Sequence, residues 1–156
     1  MNVAARDVER RHGVDATLVP ELYVGDLAAS LAFYAAFGFT IRYRRPEEAF
    51  AYLARGGAEL MLEEPRGRVL LTGSLDRPLG RGVNLQIAVE DATALHDAAR
   101  RIGASVILPL EERTYRRATD TIAVRQFVVA DPDGYLLRFS ERLGSIGHDG
   151  GTGDGG

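Results

Sequence analysis

The sequence predicts an α+β protein built from one βαβββ unit used twice. Three observations predict it. A β-like stretch followed at once by an Asp-capped apolar helix occurs twice, 65 residues apart. Each helix ends at a glycine, and three further strand-like stretches follow it. Each set also contains a turn signal between its last two strands, Gly56-Gly57 in the first and Asp131-Pro132-Asp133-Gly134 in the second.

The elements follow in order. The first strand is expected from Leu18 to Val24, ending at Gly25-Asp26. Asp26 suits the N-cap of a helix to about Phe37, with Leu27, Leu31 and Tyr34 as its apolar stripe and Gly38 beyond its end. Strands are expected at about 39–45, 49–54 and 58–63. The second copy opens with a strand from Val83 to Val89. Asp91 caps a helix holding Leu95, Ala99 and Ile102, Gly103 ends it, and strands follow at about 104–108, 122–130 and 134–140. Val24 to Val89, Asp26 to Asp91 and Gly38 to Gly103 are each 65 apart, whereas Gly57 to Gly134 is 77. The second copy is therefore about 12 residues longer, and a loop at 109–121 is the expected place for them.

Composition bounds the function. A chain of 156 residues with 46% hydrophobic and 26% charged residues suits one soluble globular domain with a real core. A net charge of −3 and a pI of about 5.6 argue against a duplex nucleic-acid binder, which needs a basic face. All 19 basic residues are arginines. The absence of cysteine excludes disulfides, thiolate zinc sites, Fe–S clusters and cysteine nucleophiles. No apolar run approaches the roughly 20 residues of a membrane span. Residues 1–13 have no apolar segment of the signal-peptide kind, so a cytoplasmic location is expected. Residues 1–14 and the Gly-rich stretch 143–156 are expected to be weakly ordered tails, because neither offers an apolar face that offsets its ordering entropy.

Period-two alternation assigns the strand faces. Val83, Leu85, Ile87 and Val89 should cover the helices, which leaves Asn84, Gln86 and Ala88 on the other side. Glu21 and Tyr23 share that side by the repeat offset. So do Glu59, Met61 and Glu63 in the fourth strand, and Leu136, Arg138 and Ser140 in the eighth. A two-residue turn at Gly56-Gly57 sets Tyr52 opposite Met61 and Phe50 opposite Glu63. A four-residue turn at 131–134 sets Phe127 opposite Arg138 and Arg125 opposite Ser140. The resulting face mixes aromatics, amides and charges of both signs. It is either a solvated sheet face or a binding cleft, and the aromatics Tyr23, Phe50, Tyr52 and Phe127 favour the cleft.

Three stretches carry a family resemblance. Residues 20–34 (PELYVGDL, then SLAFY) look like the opening of a vicinal oxygen chelate module, and residues 83–91 (VNLQIAVED) look like the opening of a second. Residues 125–139 (RQFVVADPDGYLLRF) are similar to the closing hairpin of bleomycin-resistance-type members. The resemblance covers residues 17–141, with one module at about 17–64 and the other at about 83–141. It implies a cup-shaped, eight-stranded mixed sheet with helices on its outer face, and a homodimer. The metal-dependent branch of the superfamily, which includes glyoxalase I, extradiol dioxygenases and fosfomycin-modifying enzymes, takes His, Glu or Gln ligands from the first and last strands of each module. The corresponding positions here are Val19, Met61, Asn84 and Arg138, none a competent ligand. His96 reads as a structural histidine of the second helix, and His12 and His148 fall in the tails. Glu59 and Glu63 either frame a cation or form a solvated acidic stripe.

No metal or other cofactor is therefore expected. The expected function is metal-free binding of an aromatic or elongated small molecule, as in bleomycin-resistance proteins, which sequester a drug. Its expected contacts are Phe50, Tyr52, Glu59, Met61, Glu63, Asn84, Gln86, Tyr115, Arg125, Phe127 and Arg138. The alternative is an enzyme of the same superfamily acting on a small metabolite, with Tyr52, Tyr115, Glu59 or Glu63 as acid or base. In that reading the loop 111–117 (EERTYRR) closes over an anionic substrate; otherwise it is a solvated surface loop. A partner domain is a third reading, but the sequence shows no exposed apolar surface for it. No Gly-x-Ser-x-Gly elbow or P-loop occurs.

Overall fold

A computed structural model describes residues 16–147, so the expected tail 1–14 lies outside the described residues. The chain divides into two compact units, Met1–Ser74 and Leu75–Gly156, each carrying one βαβββ module. Unit 1 holds β1 (Glu21–Tyr23), α1 (Leu27–Ala36), β2 (Thr40–Arg45), a 3-10 turn (Pro46–Glu48), β3 (Phe50–Arg55) and β4 (Ala58–Glu63). Unit 2 holds β5 (Asn84–Val89), α2 (Ala92–Arg101), β6 (Ser105–Arg116), β7 (Asp120–Ala130) and β8 (Leu136–Gly147). The sheets run β1-β4-β3-β2 and β5-β8-β7-β6. In each, the first and last strands pair in parallel and the other pairs are antiparallel. The α+β architecture of two βαβββ modules is thus as expected, with the eight strands in two four-stranded mixed sheets. Among the described residues no helix is long and apolar enough to cross a membrane.

The duplication extends to individual hydrogen bonds. Asp26 Oδ1 accepts from the Ala29 N–H at 3.1 Å, and Asp91 Oδ1 from the Ala94 N–H at 2.9 Å. A second carboxylate reaches each helix start, from the residue that follows β4 in unit 1 and from β8 in unit 2. Glu64 accepts from the Leu27 N–H at 3.1 Å, and Glu141 from the Ala92 N–H at 3.0 Å. Helix N-termini leave such N–H groups open, and these acceptors satisfy them. The Leu27 bond, helped by Arg66, holds the Glu64 carboxyl below its ordinary range. Both helices end at a glycine of positive φ, 84° at Gly38 and 66° at Gly103. A Phe39-to-Tyr34 and an Ala104-to-Ala99 backbone bond close the two ends in the same way.

Helix α1 buries Leu27, Ser30, Phe33 and Tyr34, with Phe37 at its end, so its inner stripe is rotated from the one expected through Leu31. Phe33, Phe37 and Tyr34 form edge-on and tilted ring contacts, continued to Phe39. In unit 2 the smaller Ala98 and Ala99 bring α2 down onto Phe127, Val129, Leu137 and Phe139, all fully buried. His96 packs its ring edge-on to Phe127 at 5.3 Å, which agrees with a structural role.

Strand register preserves the repeat. Glu21 pairs with Met61, and the residues 65 and 77 further on, Gln86 and Arg138, pair likewise. Both β2 and β6 carry a bulge at the same place, at Arg42 and at Ile107. Between the antiparallel pairs Thr40↔Ala54 and Ser105↔Ala130 the offsets are 65 and 76. Eleven of the extra residues therefore lengthen the β6–β7 hairpin, and one lies in the β7–β8 turn.

Three expectations are corrected here. The segment 109–121 is not a loop: β6 runs to Arg116 and pairs with β7 through Arg116↔Thr121. Its charge suggested a solvated loop, but an edge strand also exposes side chains and tolerates charge. Pro109, which lacks an N–H, falls at a second register shift between Leu108 and Glu111. Secondly, β8 continues to Gly147 because β7 supplies a partner, Asp120↔Gly147. Residues 143–147 are therefore strand rather than tail; the rest of that stretch, 148–156 with His148, falls outside the described residues.

The third correction concerns the last turn. Asp131 bonds to Tyr135 through its backbone N–H at 2.8 Å, so the loop proper is Pro132-Asp133-Gly134. Asp131 Oδ1 accepts from the N–H groups of Asp133, Gly134 and Tyr135 at 2.9, 3.0 and 2.9 Å. Gly134 has φ 103°, and a Cβ there would lie 2.5 Å from Pro78. Register shifts by one accordingly. Val128 faces Arg138, Phe127 faces Phe139, Gln126 faces Ser140 and Arg125 faces Glu141. The first hairpin keeps its expected register, with Tyr52 opposite Met61 and Phe50 opposite Glu63.

Replacing Asp131 by Ala removes one acceptor from three backbone donors at a buried turn. Urea unfolding should show a loss on the order of 2–4 kcal/mol, with Asp131→Asn intermediate; a loss within error of zero would mean that the turn does not need this side chain.

Candidate functional site

The register of β7 and β8 decides what the open face of the second sheet carries. A cavity of about 410 Å³ lies on it. Its polar lining is Asn84 from β5, Glu111, Arg113 and Tyr115 from β6, Gln126 from β7 and Arg138 from β8. Its apolar lining is Ile107, Leu108, Val128 and Leu136. The alternation places these side chains together: Leu108↔Val128, Glu111↔Gln126 and Val128↔Arg138 are cross-strand pairs on one face. The intervening Phe127, Val129, Leu137 and Phe139 are buried on the helix side.

Within the cavity Gln126 is the hub. Its amide nitrogen donates to Glu111 Oε1 at 3.0 Å and to the Tyr115 hydroxyl oxygen at 2.7 Å. Arg138 is held between Gln86 and Val128 on neighbouring strands, and its Nε is buried with no hydrogen-bond partner among the described residues. A buried donor left unpaired is unfavourable by about 1–3 kcal/mol.

The corresponding face of unit 1 is different. Tyr43 stacks on Tyr52 with ring centroids 5.1 Å apart and 17° between planes, and lies 5.9 Å from Phe50. The Arg45 guanidinium sits 3.6 Å above the Phe50 ring. Phe50 and Tyr52 are buried. The Tyr52 hydroxyl donates to Glu59 Oε2 at 2.8 Å, which also accepts from the Ala16 N–H at 2.9 Å, and Arg42 lies 3.8 Å from Glu59 Oε1. Burial, and then the bond to Glu59, push the Tyr52 hydroxyl up to about 12. Burial also raises Glu63, and its hydrogen bond to Glu21 adds to the effect.

Of the residues expected to touch ligand, Asn84, Tyr115 and Arg138 line the second-unit cavity. Gln86 is exposed beside Arg138 on the same face. Phe50, Tyr52, Glu59, Met61 and Glu63 share one face of the first sheet, by their register. Arg125 and Phe127 are corrected to the helix side of the second sheet. Arg125 pairs with Glu112 at 2.7 Å and Glu141 at 3.5 Å, and Phe127 stacks on Phe139. Their places on the cavity face are taken by Gln126 and Val128, which the one-residue register error had hidden. Glu111 and Arg113 were missed as lining residues because their segment read as a loop.

The chain matches the Glyoxalase/Bleomycin resistance protein/Dioxygenase superfamily over residues 14–139, and it belongs to that superfamily. A superfamily member from Vibrio splendidus 12B01 is 37% identical, across 80% of this chain and 97% of its own, with a TM-score of 0.39. TioX from Micromonospora sp. ML1 is 22% identical, across 84% and 100%, with a TM-score of 0.61. The genomically encoded fosfomycin resistance protein FosX from Listeria monocytogenes is 13% identical, across 83% and 94%, with a TM-score of 0.55. The last two share the fold. No curated protein matches the chain.

Some members of this superfamily use a metal, and the residues here do not fit one. Val19 precedes β1 and offers no donor atom. Met61 is a soft thioether paired with Glu21, and Asn84 is a weak ligand. Arg138 sets a guanidinium on the cavity face that Asn84 also lines, where it repels a cation. Among the described residues no group of three or more His, Asp or Glu could hold a metal ion.

The Glu63 shift gives a pH prediction. Its carboxyl is raised in the folded state, so its contribution to stability is fully present below the unfolded value of about 4.3 and is lost as pH rises through the folded value. Glu63→Gln should match wild type near pH 4 and become the more stable protein toward pH 7. Urea unfolding across that range reads the difference, and a difference independent of pH would show that Glu63 carries no such strain.

Proposed function

We propose that this chain is a small-molecule-binding protein that holds an organic ligand on the open sheet face of its second unit, without a metal, and sequesters it rather than converting it. The observation that carries the reading is the cavity of about 410 Å³, which joins four aliphatic side chains to a small polar group centred on Gln126. Ligand sites are commonly about 300–1,000 Å³ with an apolar lining and a few placed polar groups. The donor set at Val19, Met61, Asn84 and Arg138, unfit for a metal, supports the metal-free branch of the superfamily.

One of the candidate acids and bases, Tyr52, favours sequestration over turnover, although Glu63 is raised toward the neutral range. Tyr52, pushed up to about 12 and bonded to Glu59, is far from the neutral range in which general acid–base groups work best. The homodimer belongs to the same reading. It is supported by β6, an edge strand of 12 residues whose outer side has no partner strand among the described residues.

Native mass spectrometry with bleomycin and a panel of small aromatic metabolites tests the binding. Val128→Trp should fill the cavity and weaken any bound compound at least about tenfold, which is the effect of losing roughly 1.4 kcal/mol. Binding undiminished in Val128→Trp would place the ligand elsewhere, and steady conversion of a panel member would make the protein an enzyme. Light scattering should give about twice the 16.9 kDa chain mass; a monomer at micromolar concentration overturns the dimer.

A further inference from the structure

We infer that the ligand of the second-unit cavity carries a carboxylate, or a similarly compact oxyanion, on an apolar body, and that Arg138 and Tyr115 hold it. The inference rests on the ligand-binding reading above and names the ligand class.

Hydrogen-bond accounting inside the cavity leads to it. An ionised carboxylate only accepts, so the Gln126 side chain must turn its nitrogen toward Glu111. That nitrogen has two hydrogens. One goes to Glu111 Oε1 at 3.0 Å, and the other goes to the Tyr115 oxygen at 2.7 Å. Tyr115 is therefore the acceptor in its bond to Gln126, and its own O–H hydrogen is left over for a ligand. Arg138 supplies a second donor group, whose Nε–H is buried without a partner. That Nε is covered by protein atoms, so a carboxylate meets Arg138 through the part of its guanidinium that lines the cavity. Arg113 adds a further cation to the lining.

Charge points the same way. The lining holds two guanidiniums, Arg113 and Arg138, against the single carboxylate of Glu111, which already accepts from Gln126. A cationic ligand would meet like charge, and its ammonium could accept no hydrogen bond from Arg138 or Tyr115. A neutral amide offers one carbonyl acceptor. A carboxylate offers two oxygens with about four lone-pair sites and no donor to be stranded. Ile107, Leu108, Val128 and Leu136 line the rest of the cavity and suit an apolar body attached to that group.

The test uses three molecules of one shape: 4-phenylbutyrate, 4-phenylbutyramide and 4-phenylbutylamine. Calorimetry with the full chain should find the acid bound at least about tenfold more tightly than the amide, with the amine weakest. In protein labelled with 15N-arginine, the Arg138 guanidinium resonances should move on adding the acid and stay in place with the amine. Arg138→Met should erase the preference for the acid while its melting temperature equals or exceeds that of wild type, because an unpaired buried donor has been removed. Tyr115→Phe should weaken the acid several-fold. Equal or tighter binding of the amide or amine overturns the anion assignment and leaves the cavity a ligand site. An acid preference that survives in Arg138→Met overturns the role of that arginine. No binding by any of the three overturns the inference, and if the wider panel is also silent the ligand-binding reading falls with it.

Discussion

The second unit depends on one carboxylate. Asp131 gathers three successive backbone N–H groups in the β7–β8 turn and so fixes a three-residue loop there. Strand side chains alternate with a period of two, so the loop length decides the face of every residue in β7. With this loop Phe127 joins Phe139 and His96 under the helix, while Gln126 and Val128 turn to the open face opposite Ser140 and Arg138. A loop one residue longer would bury an amide and expose a phenyl ring. The cavity is thus a consequence of the turn, and Gly134 and Pro78 packed against each other leave the turn little room to change.

Around that constraint the two units keep a common frame and differ in what the frame displays. The Asp N-cap, the second carboxylate at the helix start, the positive-φ glycine at the helix end and the bulge in the edge strand all recur. These features satisfy backbone groups, a requirement of the fold whatever the sheet carries. The sheet faces are free of that requirement and have diverged. In unit 1 the aromatic groups are satisfied within the unit: Tyr43 covers Tyr52, and Tyr52 bonds Glu59. In unit 2 the extended β6 brings Glu111, Arg113 and Tyr115 over a face that leaves the Arg138 Nε without a partner. Internal satisfaction favours stability, whereas an unpaired buried donor is a cost.

The residues at the positions where metal-dependent members of the superfamily carry ligands have a physical consequence of their own. A metal site draws carboxylates and imidazoles toward a positive centre. Arg138 supplies the positive charge itself, as a planar donor array, and so the same face selects acceptors.

By itself the sequence determined the module count, the superfamily and most element boundaries. Asp caps, terminal glycines and alternating apolar residues are local signals, read within a turn or a few strand residues. The first hairpin was also legible, because Gly56-Gly57 admits a two-residue turn and its register follows. Tertiary structure decided three things. It extended β6 and β8 through charged and Gly-containing segments, since a partner strand supplies the hydrogen bonds that such residues cannot secure alone. It set the β7–β8 register through side-chain bonds within the turn, which an Asp-Pro-Asp-Gly string leaves open between two loop lengths. It therefore also chose Gln126 and Val128 over Arg125 and Phe127 as the faces of the cavity, because in a strand a shift of one residue exchanges the core side for the open side.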